Sequence, residues 1–355
     1  MANFAIVGAT GLVGTKMIER LGESKLEVDK IYLMASARSA GKVLQFRGQD
    51  VIVEELREDS FDKEIDYAIF SAGGDTSRRF APIAEYKGII VIDNSSAWRM
   101  EEDIDLIVPE CNEPLLKRKI IANPNCSTIQ SVVPLKPLAD AFGLDRVAYT
   151  TYQAVSGSGK GGIDDLLNGQ NGQEPKKYPH PIYNNVLPHI DVFLDNGYTK
   201  EEMKMIGETK KILSLDEDVR ITATCVRVPV LNSHSVDINV TFKKDTSVDE
   251  IRSILKNSPG LVLLDEPGEN LYPTPLEASG HDEVYVGRIR RDISQDRSFY
   301  IWCVADNIRK GAASNAVQIA EMLEAKNKFK KCNFTTNERF DLYLSLFSVR
   351  ISFNT

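Results

Sequence analysis

Cys126 has the clearest capacity for covalent chemistry in this sequence. It lies in Asn123-Pro124-Asn125-Cys126-Ser127-Thr128, after the apolar run Lys119-Ile120-Ile121-Ala122. Beyond it Ile129, Val132, Val133, Leu135, Leu138 and Phe142 recur at roughly helical spacing. Pro124 disfavours helix in the residue before it, so Cys126 falls in the first turn of a helix that opens directly from a strand. Pro134 and Pro137 predict a short or kinked helix. A thiol there feels unpaired N–H groups and the positive dipole end, which favour thiolate. The same N–H groups, with the Asn125 side chain, would hold an oxyanion. The competing interpretation is a buried structural cysteine; the polar flanks and the helix-start position favour a nucleophile.

A second chemical feature opens the chain. The apolar residues 4–7 run into Gly8-Ala9-Thr10-Gly11-Leu12-Val13-Gly14, and Met17, Ile18 and Leu21 mark the face of a following helix. Strand, glycine turn and helix are the context a dinucleotide fingerprint requires, here with GxxGxxG spacing. Gly8 and Gly11 would permit the tight turn and the approach of a pyrophosphate, and Gly14 the packing of helix on sheet. A second strand ends at Ser36-Ala37-Arg38-Ser39, where an NAD site would offer an acid to the ribose. Two hydroxyls and a guanidinium suit a 2′-phosphate instead, which predicts NADP. A third strand ends at Ser71-Ala72-Gly73-Gly74, small residues that let a cofactor lie close to the backbone.

The elements that must position these groups follow from the pattern. Strands and helices alternate through residues 3–92, which implies a mostly parallel sheet with right-handed crossovers. The polar stretch Asp93-Asn94-Ser95-Ser96-Ala97-Trp98-Arg99 then falls at a strand's carboxyl end, where open α/β sheets place ligands. After the Cys126 helix the character changes. Residues 145–156 alternate as a strand and enter Gly157-Ser158-Gly159-Lys160-Gly161-Gly162, which lacks the order of a nucleotide P-loop. Residues 168–190 read as a long loop or a partner-contacting excursion. A polar helix over 200–213 follows, then antiparallel-looking strands near 219–230, 235–243, 283–291 and 298–305, with a helix near 248–255. A last helix opens at Asp306-Asn307-Ile308-Arg309-Lys310-Gly311. The fold class is α/β: a Rossmann-like parallel-sheet nucleotide domain over 1–125 with 311–355, and an α+β catalytic and dimerisation domain over 126–310.

Composition narrows the partners. With 43 basic against 51 acidic residues the net charge is −8, which argues against nucleic acid or an anionic membrane. The five cysteines form no CxxC pair, so neither a disulfide framework nor a zinc site is expected and no metal is predicted. No apolar run reaches the length of a membrane span and no signal peptide is evident, which predicts a cytoplasmic protein.

Five motifs in fixed order carry a resemblance to the aspartate-semialdehyde dehydrogenases, most of all to the branch from Gram-positive bacteria. They are residues 8–14, residues 123–128, Gln153-Ala154-Val155-Ser156-Gly157, Glu208-Thr209-Lys210-Lys211, and Arg227 through His234. The resemblance spans residue 2 to about residue 325. It implies NADPH-dependent reduction of L-aspartyl 4-phosphate to L-aspartate 4-semialdehyde with release of phosphate, in the biosynthesis of lysine, methionine and threonine. By resemblance Cys126 is the acyl-accepting nucleophile, Gln153 orients the substrate and His234 is the general acid/base. Arg227 would clamp the substrate carboxylate, Glu208 its amino group, and Arg99 and Lys211 the phosphate. Ser36 and Arg38 match the 2′-phosphate site; residues 10–14, 71–73, Ser156, Gly157 and Asn307 would border the cofactor. The family is homo-oligomeric, at least dimeric, through the second domain. Residues 326–355 depart from it. Arg227 and His234 are seven apart, which on a straight strand puts them on opposite faces, so shared membership of a site predicts a break between Val230 and His234. Two rivals are an N-acetylglutamyl-phosphate reductase of the same architecture and a non-catalytic NADP-binding sensor. Glu208 fits a free ammonium group, which an acetylated substrate lacks, and a sensor has no need of Cys126, Gln153 and His234 together.

Overall fold

Alternating apolar strands and amphipathic helices build the first half of the computed structural model, which describes residues 1–332. Here β1 (Ala2–Val7), α1 (Leu12–Glu23), β2 (Val28–Ala35), β3 (Val43–Phe46), β4 (Gln49–Glu55) and β5 (Tyr67–Phe70) are followed by α2 (Gly74–Tyr86), β6 (Ile90–Asp93), β7 (Asp105–Leu106) and β8 (Ile120–Ala122). The strands form one sheet in the order β3-β4-β2-β1-β5-β6-β8-β7. All neighbours are parallel except the β3–β4 hairpin. β1, β5, β6 and β8 are apolar at nearly every position because both faces of the sheet are covered.

The second half comprises α3 (Cys126–Phe142), β9 (Leu144–Gln153), α4 (Lys160–Gly169), α5 (Lys200–Leu213), β10 (Arg220–Arg227) and β11 (His234–Phe242). It continues with α6 (Val248–Lys256), β12 (Leu261–Leu263), α7 (Pro275–Ala278), β13 (Val284–Arg291), β14 (Ser298–Ala305) and α8 (Ser314–Cys332). Its sheet runs β10-β9-β11-β14-β13-β12. The expected antiparallel run is interrupted twice, since β9–β10 and β12–β13 are parallel. Between β9 and β10 the chain travels through α4, the irregular residues 170–199 and α5, long enough to return to the same end of the sheet. α3, α5 and α6 cover one face, burying Leu135, Met205, Ile212 and Leu255 against Val147, Tyr149 and Ile238. The other face carries Tyr152 against Trp302, their rings 5.5 Å apart and Tyr152 38 % exposed.

α8 returns to the first sheet, where Ala316, Val317, Ile319, Ala320 and Leu323 pack on Phe4, Ile6, Ile69, Ile92 and Ile121. It continues through the lysine-rich run to Cys332; the expectation for residues 333–355 lies outside the described residues. α3 differs from expectation, running 17 residues with both prolines inside it. Pro134 has no N–H to give the Gln130 carbonyl, and the Cys303 thiol donates to that carbonyl instead, at 3.1 Å. Among the described residues no helix is long and apolar enough to cross a membrane.

Candidate active site

Cys126 is the first residue of α3. Asn125, extended at φ −61° and ψ 142°, caps the helix by accepting from the N–H groups of Ser127 (2.9 Å) and Thr128 (3.3 Å). Its amide donates to Glu201 at 2.8 Å. The cap occupies the N–H groups of Ser127 and Thr128, two of those that an oxyanion held at this helix start would use. Of the four cysteines whose side chains are described, Cys126 alone is not fully buried. Enclosure nonetheless pushes its thiol up to about 11, with Glu201 acting in the same direction and Arg227, Arg99 and the Ser127 N–H opposing. The resting group is a reachable thiol rather than the thiolate the helix dipole alone predicts.

The expected break is present. β10 ends at Arg227, β11 begins at His234, and Ser233 turns the chain at φ 71°. Asn307 holds that turn by accepting from the Ser233 N–H (2.9 Å) and donating to the Ser156 hydroxyl (3.0 Å). Those bonds commit both side chains to the approach of His234. The break brings Arg227 and His234 to one spot: a Cβ placed on Gly157 would lie 3.0 Å from Arg227 Nη1 and 3.2 Å from His234 Nε2. Arg227 Nη1 donates to the Ala154 carbonyl at 2.6 Å, while its Nε is buried without a partner. His234 Nδ1 accepts from the Ala154 N–H at 2.9 Å, and its Nε2 is also buried without a partner. Burial and the Arg227 charge hold this imidazole well below its ordinary range. It is therefore neutral, and because Nδ1 is an acceptor the proton is on Nε2.

Two assignments made by resemblance need correction. Glu208 does not face the cleft, since one oxygen accepts from Arg99 at 3.0 Å and the other from the Asn125 N–H at 2.6 Å. Lys211 uses all three ammonium donors on the carbonyls of Arg99 (2.9 Å), Glu101 (2.6 Å) and Ile104 (2.8 Å). Two turns nearer the start of α5, the same i, i+3 pair recurs as Glu201 and Lys204, and there it borders the thiol. Glu201 accepts from Asn125 and from Gln153 at 3.3 Å, and pairs with Lys204 at 3.0 Å. Burial works against the Glu201 carboxylate, but Lys204, Asn125 and Gln153 together hold it below the ordinary range. Lys204 also reaches Asp191 at 2.7 Å. The repeat of Glu-x-x-Lys along the helix was the signal available in the sequence. Gln153, the last residue of β9, is fixed through its carbonyl by Thr151 at 2.9 Å. Arg99 gives one N–H from each nitrogen to Asn123 O, Glu208 and Asn94 O, leaving two of its five.

At the other end of the cleft Gly8 sits at φ 86°, and a Cβ there would lie 2.4 Å from the Ser71 carbonyl. A Cβ on Gly14 would meet the Gly8 carbonyl at 2.1 Å, so α1 crosses the turn at a distance only glycine allows. The start of α1 has no side-chain cap and no acid in its first turn, which leaves its N–H groups free for a diphosphate beside Thr10, Gly11, Leu12 and Val13. Gly73, at φ 84°, has open space beyond it next to Ser71 and Ala72, and Ser36 and Arg38 stand exposed at the end of β2. These residues fit a dinucleotide. No cluster of three metal-ligating side chains occurs among the described residues.

Nucleotide turn, reachable thiol and a six-stranded second sheet define a semialdehyde dehydrogenase. Residues 3–119 match the family model for the semialdehyde dehydrogenase NAD binding domain, and residues 135–310 that for the dimerisation domain. Relatives include the aspartate-semialdehyde dehydrogenases of Aquifex aeolicus, 52 % identical over 90 % of this chain and 97 % of that one, and of Bacillus subtilis, 45 % identical over 91 % and 97 %. Among solved structures, aspartate semialdehyde dehydrogenase II of Vibrio cholerae complexed with ASA has a TM-score of 0.88 at 45 % identity, covering 92 % of this chain and 98 % of that one. The Candida albicans enzyme with NADP has a TM-score of 0.75 at 28 % identity, covering 92 % and 99 %. The chain belongs to the aspartate-semialdehyde dehydrogenase family. The comparisons favour neither the acetylated-substrate rival nor the sensor.

Proposed function

We propose that the chain reduces L-aspartyl 4-phosphate to L-aspartate 4-semialdehyde through a thioester on Cys126, with the site residues in the following roles. The observation that carries this reading is the pair of unpartnered donors, Arg227 Nε and His234 Nε2, on two side chains that meet beside Gly157 in a site that also holds a half-buried cysteine. A donor buried without an acceptor is costly unless a ligand supplies one. Arg227 takes the substrate carboxylate, in the bidentate manner open to a guanidinium. Glu201 takes the amino group, and Lys204 with the two spare N–H groups of Arg99 takes the phosphate. Gln153 orients the acyl group beside the sulfur.

Sulfur attacks the acyl carbon, the carbon–oxygen bond to phosphate breaks, and the thiol proton leaves on the phosphate as hydrogen phosphate. The raised thiol suits this route, because the proton is still present when the leaving group needs it. The turn Gly8–Gly14 with Ser36 and Arg38 would hold NADPH, which would supply the hydride that the thioester carbonyl accepts. His234, neutral with its proton on Nε2, stabilises the resulting oxyanion as a hydrogen-bond donor, the part a neutral imidazole can play without losing its proton. Collapse breaks the carbon–sulfur bond, releases the semialdehyde, and the sulfur regains a proton from water. NADP is preferred over NAD because Ser36 and Arg38 replace the usual acid at the ribose.

Residues 1–125 with the returning chain from 311 form the nucleotide domain, and residues 126–310 the catalytic and dimerisation domain. Two copies pair through the open face of the second sheet around Tyr152 and Trp302, a patch in which one aromatic is already more than a third exposed. Free thiols support a reducing, cytoplasmic setting. The test is NADP reduction with phosphate and aspartate semialdehyde, before and after iodoacetamide. Turnover abolished by alkylation is expected. No turnover at all would end the reading, and turnover that survives alkylation would end the Cys126 route.

A further inference from the structure

The start of the returning segment presses on the nucleophile. Residues Arg309–Ala313 form a π-turn in which Gly311 N–H donates to Asp306 O (3.0 Å) and Ala313 N–H to Ile308 O (2.9 Å). Such widened turns recur at functional sites. Its outer side is fixed by Arg309, which pairs with Glu23 (2.6 Å) and Glu19 (3.3 Å) of α1 and with Asp282 (2.8 Å). Its inner side meets the cysteine loop, and a Cβ on Gly311 would lie 2.8 Å from Cys126 Cβ. One turn on, Asn315 donates to Asn123 Oδ1 at 2.7 Å and to Ile107 O at 2.9 Å, and accepts from Lys310 at 3.3 Å. Asn123 in turn donates to Ala312 O at 3.1 Å. Asn123, Asn315 and Lys310 are fully buried.

We propose that Asn315 is a positioning residue for Cys126, setting the sulfur through Asn123 while Gly311 blocks its retreat. The inference rests on Cys126 being the nucleophile. Asn123 stands three residues before Cys126, with the rigid Pro124 and the capping Asn125 between them, so a shift of Asn123 carries to the sulfur. Removing the Asn315 amide leaves Asn123 Oδ1 buried without a donor, and the loop must move to recover one. The sulfur then loses its alignment with the acyl carbon while the carboxylate and amino-group contacts stay in place.

The experiment compares Asn315→Leu with Val317→Ala, a core truncation on the same helix at a side chain that makes no hydrogen bond. It reads kcat, KM for aspartate semialdehyde, the rate of iodoacetamide inactivation, and Tm. Asn315→Leu is expected to lower kcat at least about tenfold with KM within about twofold, since misplacement by an ångström costs on that order or more. Inactivation by iodoacetamide should slow by at least about threefold for the same reason. Val317→Ala should lose Tm but keep both rates. Should Asn315→Leu fail to fold, Asn315→Ser makes the same comparison. Equal kcat in the Asn315 and Val317 variants, or an unchanged inactivation rate, would overturn the proposal. Cys126→Ala separates the two levels: if it still turns over, the nucleophile reading falls, and if it is inactive while Asn315 variants keep full kcat, only the positioning falls.

Discussion

α5 carries the same pair twice. Glu201 with Lys204 and Glu208 with Lys211 are each three residues apart, and the two pairs are separated by seven, so all four side chains lie along one side of the helix. Near the start of the helix the carboxylate touches Asn125, Gln153 and a lysine that keeps 20 % of its side chain exposed. Near the end, both oxygens of Glu208 and all three donors of Lys211 are taken by Arg99, the Asn125 N–H and the backbone of the loop after Arg99. The first pair has capacity left for a ligand; the second fastens the ligand's neighbours in place. What distinguishes binding from fastening here is position along the helix relative to Cys126, not residue type or spacing.

The strongest way to break that contrast is Glu208→Leu. It strands the Arg99 guanidinium, 7 % exposed, with its charge partner gone. Removing one member of a buried pair costs about 3–5 kcal/mol, read as a drop in the denaturant midpoint. A loss below about 1 kcal/mol would show that Glu208 is not a fastener. Next is Glu201→Gln, which should lower kcat/KM about a hundredfold, equivalent to about 2.7 kcal/mol, while leaving Tm nearly unchanged. If Tm falls as far as it does in Glu208→Leu, the two carboxylates do the same job and the distinction fails.

The lysines sharpen it further. Lys211→Met removes three bonds to carbonyls and should destabilise by about 1–2 kcal/mol, with KM for phosphate little changed once the protein is folded. Lys204→Met should instead raise KM for phosphate about tenfold. Its cost in stability should be smaller than that of Glu208→Leu, because Lys204 keeps 20 % of its side chain exposed and Asn125 and Gln153 still bond to Glu201. Phosphate titrations at fixed semialdehyde separate these outcomes, and a KM effect in Lys211→Met alone would restore the assignment made from the sequence.

The same contrast explains which parts of the molecule were legible. The approximate bounds read for α5 and β14 match the structure, and Gly8 and Gly14 announced their own geometry because no other residue fits those contacts. The break between Arg227 and His234 followed from requiring both in one site, and Pro229 with the Asn232-Ser233 pair gives the chain residues that can break a strand there. The choice between two Glu-x-x-Lys pairs was not visible, because sequence gives the face of a helix but not the depth of each turn. The length of α3 was hidden for a related reason. Prolines weaken a helix locally, and only the tertiary structure supplies a Cys303 thiol to the freed carbonyl. The thiol's protonation followed the same rule: a dipole argument is local, whereas enclosure and Glu201 belong to the folded site.

His234 combines both conditions in one ring, with Nδ1 fastened by the Ala154 N–H and Nε2 left for a ligand. Burial and Arg227 depress its protonation, which fixes the sign of two smaller effects. The unfolded chain takes up a proton on this residue as pH falls through its ordinary value near 6.5, and the folded chain does not until much lower. Its contribution to stability is therefore complete above that value and declines on acidification, by less than about 1 kcal/mol between pH 7 and pH 6. The difference in denaturation free energy between the parent and His234→Gln should narrow by that amount across the interval; a difference that widens would reverse the sign assigned to the shift. Activity should show no falling limb near 6.5, because the ring is already neutral there, and a kcat that titrates with that value would mean the imidazole works as a charged acid. His234→Asn keeps an N–H donor without a titrating ring, so it should retain more activity than His234→Ala, and equal activity in the two would remove hydrogen-bond donation from the role of this residue.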